Sequence, residues 1–211
     1  MKEKNLRKAR PVALAQHAAV HSTKLKTGAR WSFQDEVLGA LTEDQVRAIP
    51  KRGQSVAWKL WHATRVEDVT MNVLLAGTPQ ILIKGNWPAK LGIKYVDVGN
   101  DMPEADVKNF SQRVNLKSLL AYRLAVGRRT RIILGRLKPD ALWEPPAPER
   151  IDRLSAERAV REKARWLLKY WGGNPAANLL LMPATRHPFV HLNEISRLIP
   201  TLRRVKNQSH R

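Results

Sequence analysis

Two histidines near the C-terminus, His187 and His191, stand four residues apart in the segment from Thr185 to Glu194. On an α-helix this spacing places both imidazole rings on one face, about one turn apart, where a single divalent ion can bind between them. The sequence contains no cysteine, so disulfides, thiolate ligands and a thiol nucleophile on the protein are excluded. Any metal bound by this chain therefore uses nitrogen and oxygen ligands.

A predicted helix from Val56 to about Ala76 contains the best candidate for a third ligand, His62. Apolar residues recur at helical spacing on the same stripe as His62, so we expect its ring to face the interior. Three buried imidazoles each need a polar partner, and one shared ion would serve all three. The sequence thus predicts a metal site of His62, His187 and His191, and the alternative is a set of core histidines satisfied by ordinary hydrogen bonds.

The surroundings of the C-terminal pair add two expectations. Thr185 is predicted to cap the last helix, which places His187 and Pro188 in its first turn. The positive end of the helix would then keep the His187 ring neutral, which is the form that binds metal. Glu194 lies near the same helical face and is predicted to support a ligand through a hydrogen bond.

A second histidine pair with the same spacing, His17 and His21, lies on a predicted helix from about Pro11 to Leu25. That helix is short and rich in alanine, so the direction of the two rings is ambiguous. The rings of His17 and His21 could line the same cavity as the other histidines or cap its mouth, and the sequence leaves both possibilities open. The adjacent carboxylates Glu67 and Asp68 predict no paired acid–base site, because consecutive residues of a helix point in different directions.

Helical periodicity predicts an all-α protein, a four-helix bundle with short accessory helices, formed by one domain over residues 1–211. Residues 81–100 are predicted as a long, partly ordered crossover loop, and basic, flexible ends are expected at about 1–10 and 203–211. The predicted helices are about Pro11–Leu25, Phe33–Leu41, Val56–Ala76, Glu104–Leu137 with a break near 110–114, Pro148–Trp171, Ala176–Met182 and Thr185–Ile199.

The charge of the chain supports a competing function. Lys and Arg number 38 against 18 Asp and Glu, a formal net charge of +20 that attracts polyanions at ordinary salt. A basic module that binds nucleic acid is therefore the main alternative, although it is not favoured because the positive residues are spread along the chain. The tryptophans at helical spacing are expected to pack in the bundle rather than to stack on bases. They are Trp58, Trp61, Trp166 and Trp171.

Two features bear on the location of the protein. No segment approaches the roughly 18 uninterrupted apolar residues of a membrane span. The first residues also lack the apolar run of a signal peptide. We therefore expect a cytoplasmic protein without membrane association.

Two blocks of the sequence, residues 55–68 and 179–194, resemble the DinB-like and YfiT-like superfamily of bacterial four-helix bundles. The resemblance implies an up-down-down-up bundle, often a homodimer, that holds a divalent ion, commonly zinc or nickel. In that family one histidine of the second bundle helix joins a His-x-x-x-His pair of the last helix. The matching residues here are His62, His187 and His191.

Some members of that superfamily are transferases or isomerases that depend on low-molecular-weight thiols, which implies a small-molecule substrate. Because this chain has no cysteine, the thiol would arrive as a cofactor, and Arg65 and Arg186 are predicted to steer its carboxylates. The alternative is a bundle that binds metal but catalyses no reaction. The very high positive charge and the long inserts depart from the family pattern.

Overall fold

The computed structural model of the protein describes residues 2–51, 53–138 and 140–208, with side chains described for residues 10–51, 53–138 and 140–204. Within these ranges the chain is helical and contains no strand, which confirms the all-α class. Much of the two ends predicted to be basic and flexible, 1–10 and 203–211, lies outside the described side chains. None of the described helices is both long and apolar enough to cross a membrane.

The helices follow one another with short connections. They are α1 (Lys2–Ala19), α2 (Phe33–Gly39), α3 (Glu43–Arg47), α4 (Val56–Asp68), α5 (Ile81–Lys84), α6 (Trp87–Leu91), α7 (Glu104–Arg113), α8 (Leu116–Arg136), α9 (Pro148–Ala156), α10 (Trp166–Gly172), α11 (Ala176–Leu181) and α12 (His187–Gln208). Short 3₁₀ turns occupy Thr23–Leu25, Asp140–Leu142 and Glu162–Ala164, and π-helical segments occupy Val69–Leu75 and Met182–Arg186.

Helix α4 is the central element of the fold. It begins after Ser55, whose hydroxyl accepts a hydrogen bond from the backbone N–H of Trp58 at 3.0 Å, and it continues directly into the π-helical segment. Every residue from 55 to 74 is buried, on all faces of the helix. A helix enclosed on every side must give each of its polar side chains a partner, and α4 carries His62, Arg65 and Glu67.

Apolar side chains surround α4 in three clusters. The largest is built around Trp61, Phe110 and Leu119 and joins α4 to α7, α8 and α12. In a second cluster α9 and α10 pack on the π-helical segment, with Trp171 at its centre. The third lies between α1, α8 and α11 and includes Met71. These contacts fix α4 against α8 and α12, and so fix the histidines that those helices carry.

The segment predicted as a crossover loop, residues 81–100, is more ordered than expected because it contains α5 and α6. The carboxylate of Asp68 accepts hydrogen bonds from the backbone N–H groups of Ile81 and Leu82 at 2.8 and 2.9 Å. These are free donors at the start of a helix, so an anionic side chain binds there favourably. The segment is thereby tied to α4, and its last residues lie next to His62.

Several predicted helix boundaries differ from the structure, and one predicted break is present. The first helix ends at Ala19 rather than continuing to Leu25. The helix predicted over Pro148–Trp171 is divided, because Arg158 has a φ of +52° and the N–H of Ala159 turns back to Leu154. The break predicted near 110–114 is present, and α8 starts at a new cap, Asn115.

The tryptophans divide into two groups. Trp58, Trp61 and Trp171 are buried, as expected from their helical spacing. Trp166 is 57% exposed, so the expectation that it packs in the interior is wrong. It lies on the outer face of the short helix α10, and its neighbour Leu167 enters the core instead.

Candidate metal centre

His62 from α4 and His187 and His191 from α12 meet inside the protein. Their ring centroids are separated by 4.9 Å (62 to 187), 5.2 Å (62 to 191) and 4.5 Å (187 to 191). One potential ligand atom from each ring lies within 4.8 Å of the other two. The structure thus brings together the three histidines that the sequence singles out, and this group could hold a metal ion.

The ring of His62 is fixed on two sides. Its Nδ1–H donates a hydrogen bond to the main-chain carbonyl of Val98, at the end of the segment that Asp68 ties to α4. Its flat face stacks on Trp58, with ring centroids 4.8 Å apart and the planes 13° from parallel. Because Nδ1 carries the proton, Nε2 is the atom with a free lone pair, which is the usual arrangement of a metal-binding histidine.

His191 is oriented by a carboxylate in the way that sequence reasoning anticipated. Its Nδ1 lies 3.0 Å from the Oε2 atom of Glu194, one turn along α12. The same oxygen lies 2.6 Å from Nζ of Lys59 on α4, whose side chain is 9% exposed. The chain from Lys59 through Glu194 to His191 therefore fixes a tautomer in which Nε2 of His191 is unprotonated.

His187 completes the group. Its Nε2 lies 3.0 Å from Nε2 of His191, and its Nδ1 is buried without a hydrogen-bond partner among the described residues. Two imidazole nitrogens that share an ion at 2.0–2.1 Å stand about 2.9–3.3 Å apart, depending on the coordination angle. The observed separation is within this span, so the residues present fit a shared divalent ion.

The surroundings keep these rings neutral, which is the form that can coordinate a metal. Burial, followed by repulsion from the rings of His62 and His191, lowers the pKa of His187 to about 2. Burial and the neighbouring His191 lower the pKa of His62 to about 4. Burial also lowers the pKa of His191, against the opposing effect of Glu194. No proton competes for these nitrogens near neutral pH.

The predicted cap at Thr185 is wrong. Thr185 lies within the π-helical segment that joins α11 to α12, and its hydroxyl donates to the carbonyl of Leu181 at 2.6 Å. The backbone is therefore helical on both sides of His187, and no free helix N-terminus faces the ring. The neutrality of His187 follows from burial and from its histidine neighbours instead.

His17 and His21 do not join the His62–His187–His191 group. They form a second cluster with Glu67: Nε2 of His17 lies 2.8 Å from Oε1 and Nε2 of His21 lies 2.9 Å from Oε2. Thr130 on α8 donates its hydroxyl to Oε1 at 2.7 Å. Sequence reasoning found the two histidines by their spacing but missed Glu67, which the fold brings from about fifty positions away. Glu67 and Asp68 do point in different directions, as expected.

The second cluster is fully enclosed, since its three side chains are at most 1% exposed. Burial lowers the pKa of His21 to about 3, so its ring is neutral at physiological pH. The pKa of Glu67 lies well below its ordinary value, because the two imidazoles and their hydrogen bonds outweigh the opposing effect of burial. The cluster thus consists of an ionised carboxylate between two imidazole rings, of which that of His21 is neutral.

Arg65 cannot steer a substrate carboxylate as predicted. Its guanidinium is completely buried and donates to Asp68 and to the hydroxyl of Tyr122, both at 3.1 Å. It also donates to the side chain of Gln80 and to the carbonyl of Val96. All of these partners belong to the protein, so Arg65 is a structural residue that holds the 81–100 segment on α4.

Arg186 is exposed, and it lines a pocket of about 830 Å³ rather than the histidine group. The pocket lies between α1, the end of α8 and the start of α12, and most of its wall is apolar. Its lining includes Arg10, Trp143 and Phe189 but none of the three histidines. The structure therefore separates Arg186 from the side chains that could hold an ion.

Part of the positive charge is used inside the fold. Several arginines donate to main-chain carbonyls at the ends of helical segments, which otherwise lack partners. Arg123 is 1% exposed and donates to the carbonyl of Val20 at 2.8 Å. Further contacts of this kind are Arg47 to Val114 at 2.9 Å and Arg150 to Leu74 at 2.7 Å. Arg131 donates to the carbonyl of Leu14, inside α1, at 2.8 Å.

Comparisons with known proteins do not extend these observations. No model of a known protein family matches the chain. No curated protein matches it either.

Proposed function

We propose that this protein binds a divalent transition-metal ion through His62, His187 and His191. One observation carries the proposal: three neutral imidazoles converge from two helices, and two of them have their far nitrogen fixed by a protein acceptor. Ordered outer partners of this kind accompany almost every metal-binding histidine, since they set the tautomer and the ring orientation. Nδ1 of His187 is buried without a partner among the described residues, and Nε2 is the nitrogen that faces His191.

The arrangement also supports a place for this chain among the DinB-like, YfiT-like metal-binding bundles, with the up-down-down-up topology that the sequence resemblance implies. A set of three imidazole ligands suits zinc or nickel. When bound, such an ion supplies Lewis acidity and lowers the pKa of a water or thiol that it holds. We propose a metal-dependent transferase or isomerase reaction with a low-molecular-weight thiol as its chemistry.

The residues around the histidines have distinct parts in this proposal. Glu194 holds the proton of His191 on Nδ1, and Lys59 balances the charge of that carboxylate. The Val98 carbonyl holds the proton of His62 on Nδ1. The ligand nitrogens are therefore set in place before an ion arrives, which reduces the ordering that binding requires.

Elemental analysis of protein purified without an affinity tag tests the proposal. His62→Ala and His191→Ala should each contain one ion per chain fewer than the parent protein. Asn193→Ala is a matched control on the same helix, because its side chain only bonds the carbonyl of Phe189 one turn away. An unchanged metal content in both histidine variants, with folding confirmed by circular dichroism, would overturn the proposal.

The reaction is tested by turnover assays with glutathione-like, bacillithiol-like and mycothiol-like thiols. Activity that disappears on metal removal and returns on metal addition would support the thiol-dependent reaction. Absence of turnover with all three, in protein that contains its metal, would indicate a metal-binding bundle without catalysis.

Nucleic-acid binding is the second candidate function, and the charge of +20 favours it. Binding of this kind weakens steeply with salt because counterions are released, and it is indifferent to chelators. Affinity for a duplex oligonucleotide at 50 and 200 mM salt, with and without EDTA, distinguishes the two candidates.

A further inference from the structure

The His17–His21–Glu67 cluster has a donor arrangement that the proposed function does not use. Each oxygen of the Glu67 carboxylate faces one imidazole nitrogen, at 2.8 and 2.9 Å, and the two ring centroids are 4.3 Å apart. The ligand atoms of the three residues all lie within 4.8 Å of one another. Two nitrogens and one carboxylate therefore surround a single point.

Burial makes this arrangement costly without a cation. The Glu67 side chain is 0% exposed, and an enclosed carboxylate loses several kcal/mol of hydration unless positive charge compensates it. The contacts described for its oxygens come from two rings and from the hydroxyl of Thr130. The buried Arg123 guanidinium interacts electrostatically with Glu67, but its hydrogen bonds go to Gln34, Thr64 and the carbonyl of Val20.

The packing of α8 leaves space for the cluster. A Cβ atom on Gly127 would lie 3.0 Å from Nδ1 of His21, so a larger residue there would press on the ring. Nδ1 of His17 is buried and has no hydrogen-bond partner among the described residues. Nε2, the nitrogen that faces Glu67, is therefore the ligand atom that His17 can offer.

We propose that the His17–His21–Glu67 cluster is a second, closed metal site that takes a divalent ion such as zinc. Two imidazole nitrogens and both carboxylate oxygens complete a four-coordinate shell and leave no position for a substrate, so the site is structural. It joins the last turn of α1 and the residues just after it to the last turn of α4. The inference does not depend on the His62–His187–His191 site, since the two groups share no ligand.

The test counts metal in a variant that leaves the cluster intact. The double variant His187→Ala/His191→Ala removes the ligands on α12, and among the described hydrogen bonds neither of these residues shares one with His17, His21 or Glu67. Wild-type and variant chains are unfolded with chelator, refolded with zinc, desalted and analysed for zinc per chain. Unfolding is necessary because an enclosed site exchanges its ion slowly.

Two zinc ions per wild-type chain and one per double-variant chain are expected. X-ray absorption of the double variant should show two imidazoles and carboxylate oxygen around zinc. Adding Glu67→Gln should remove that last ion, with circular dichroism as the check that the chain is folded. If the double variant does not fold, the count is made on His62→Gln/His191→Gln.

The outcomes separate the two proposals. One ion in the wild type and none in the folded double variant means that the His17–His21–Glu67 cluster is a hydrogen-bonded triad only, and the inference is wrong while the proposed function stands. One ion in both proteins means that the cluster binds metal and that the His62–His187–His191 site does not.

Discussion

Replacing Glu194 with Gln tests the reasoning about the His62–His187–His191 site most directly, because Glu194 contacts a proposed metal ligand, His191, without being one itself. Its Oε2 atom holds the Nδ1–H of His191 at 3.0 Å. Gln keeps an oxygen that can accept this hydrogen bond but removes the negative charge that makes the ring more basic. The variant therefore isolates the electrostatic part of the support that Glu194 gives.

The size of the effect follows from the exposure of Glu194. Loss of an outer partner of a metal-binding histidine weakens metal affinity roughly 10–100-fold. The Glu194 side chain is 43% exposed, so solvent screens its charge. We therefore expect Glu194→Gln to weaken zinc affinity by about 10-fold, which corresponds to about 1.4 kcal/mol. Glu194→Ala also removes the hydrogen-bond acceptor of His191, so its loss of zinc affinity should approach the upper end of that range, about 100-fold.

The measurement is the dissociation constant of the chelator-accessible zinc ion, obtained by competition with a metal-binding dye at pH 7.5. Glu162→Gln is the matched control, since it removes the same charge from a side chain that is 84% exposed and pairs only with Arg165. Unfolding should also occur at a lower temperature in Glu194→Gln, because Lys59 loses its anionic partner while 9% exposed. An affinity equal to that of the wild type would refute our account of His191 orientation.

Three further outcomes are expected. Gly99→Ala should weaken zinc binding and lower the melting temperature. Position 99 has a φ of +90°, and the added Cβ would lie 2.6 Å from a ring carbon of Trp61. Relief of this clash would displace the adjacent Val98 carbonyl, which fixes the His62 ring. The free energy of unfolding of the metal-free protein, measured by urea titration, should fall as the pH falls from 7 to 4. The pKa of His62 is about 4 in the folded chain and 6.5 in the unfolded chain, so the unfolded chain binds more protons in this range. For His62 this difference lowers the free energy of unfolding by about 3 kcal/mol. Arg150→Met should lower the free energy of unfolding by roughly 1.5–3 kcal/mol through the loss of its bonds to two carbonyls, measured by urea denaturation.

Each of these outcomes has its own control. Gly39→Ala places a Cβ where nothing lies within 4 Å and no unusual φ is required, so its zinc affinity should equal that of the wild type. Arg165→Met removes an arginine that is 60% exposed and should change the stability little. Metal-free stability that is flat between pH 7 and 4 would contradict the neutral, buried state of His62. Equal stability losses in the two arginine variants would contradict the structural use of Arg150.

The three clustered histidines were predictable from sequence because local geometry determines their direction. The four-residue spacing of His187 and His191 fixes their common face once the segment is helical, and His62 shares a helical stripe with the apolar residues Trp58 and Val66, which predicts an inward ring. The all-α class was predictable for the same reason. Each of these conclusions depends on contacts within one helix.

The remaining features depend on contacts between distant segments. Glu67 meets His17 and His21 only because the end of α1 and the residues after it pack near α4, and no spacing in the sequence encodes that pairing. The acceptor for His62 is a backbone carbonyl, which any residue at position 98 would supply. Thr185 followed by Pro188 has the composition of a helix start, yet the chain is already helical there: Thr185 lies in the π-helical segment and Pro188 in α12, which follows it directly.

The polar attachment of α1 limits how far this chain can be shortened. A fragment that begins at α2 would keep Glu67 inside the protein but without either of its imidazole donors. Each hydrogen bond lost at a buried carboxylate costs roughly 1–3 kcal/mol, a large part of the total stability of a domain of this size. The smallest fragment able to fold on its own therefore includes the first helix, and affinity tags or fusion partners belong upstream of it rather than in its place.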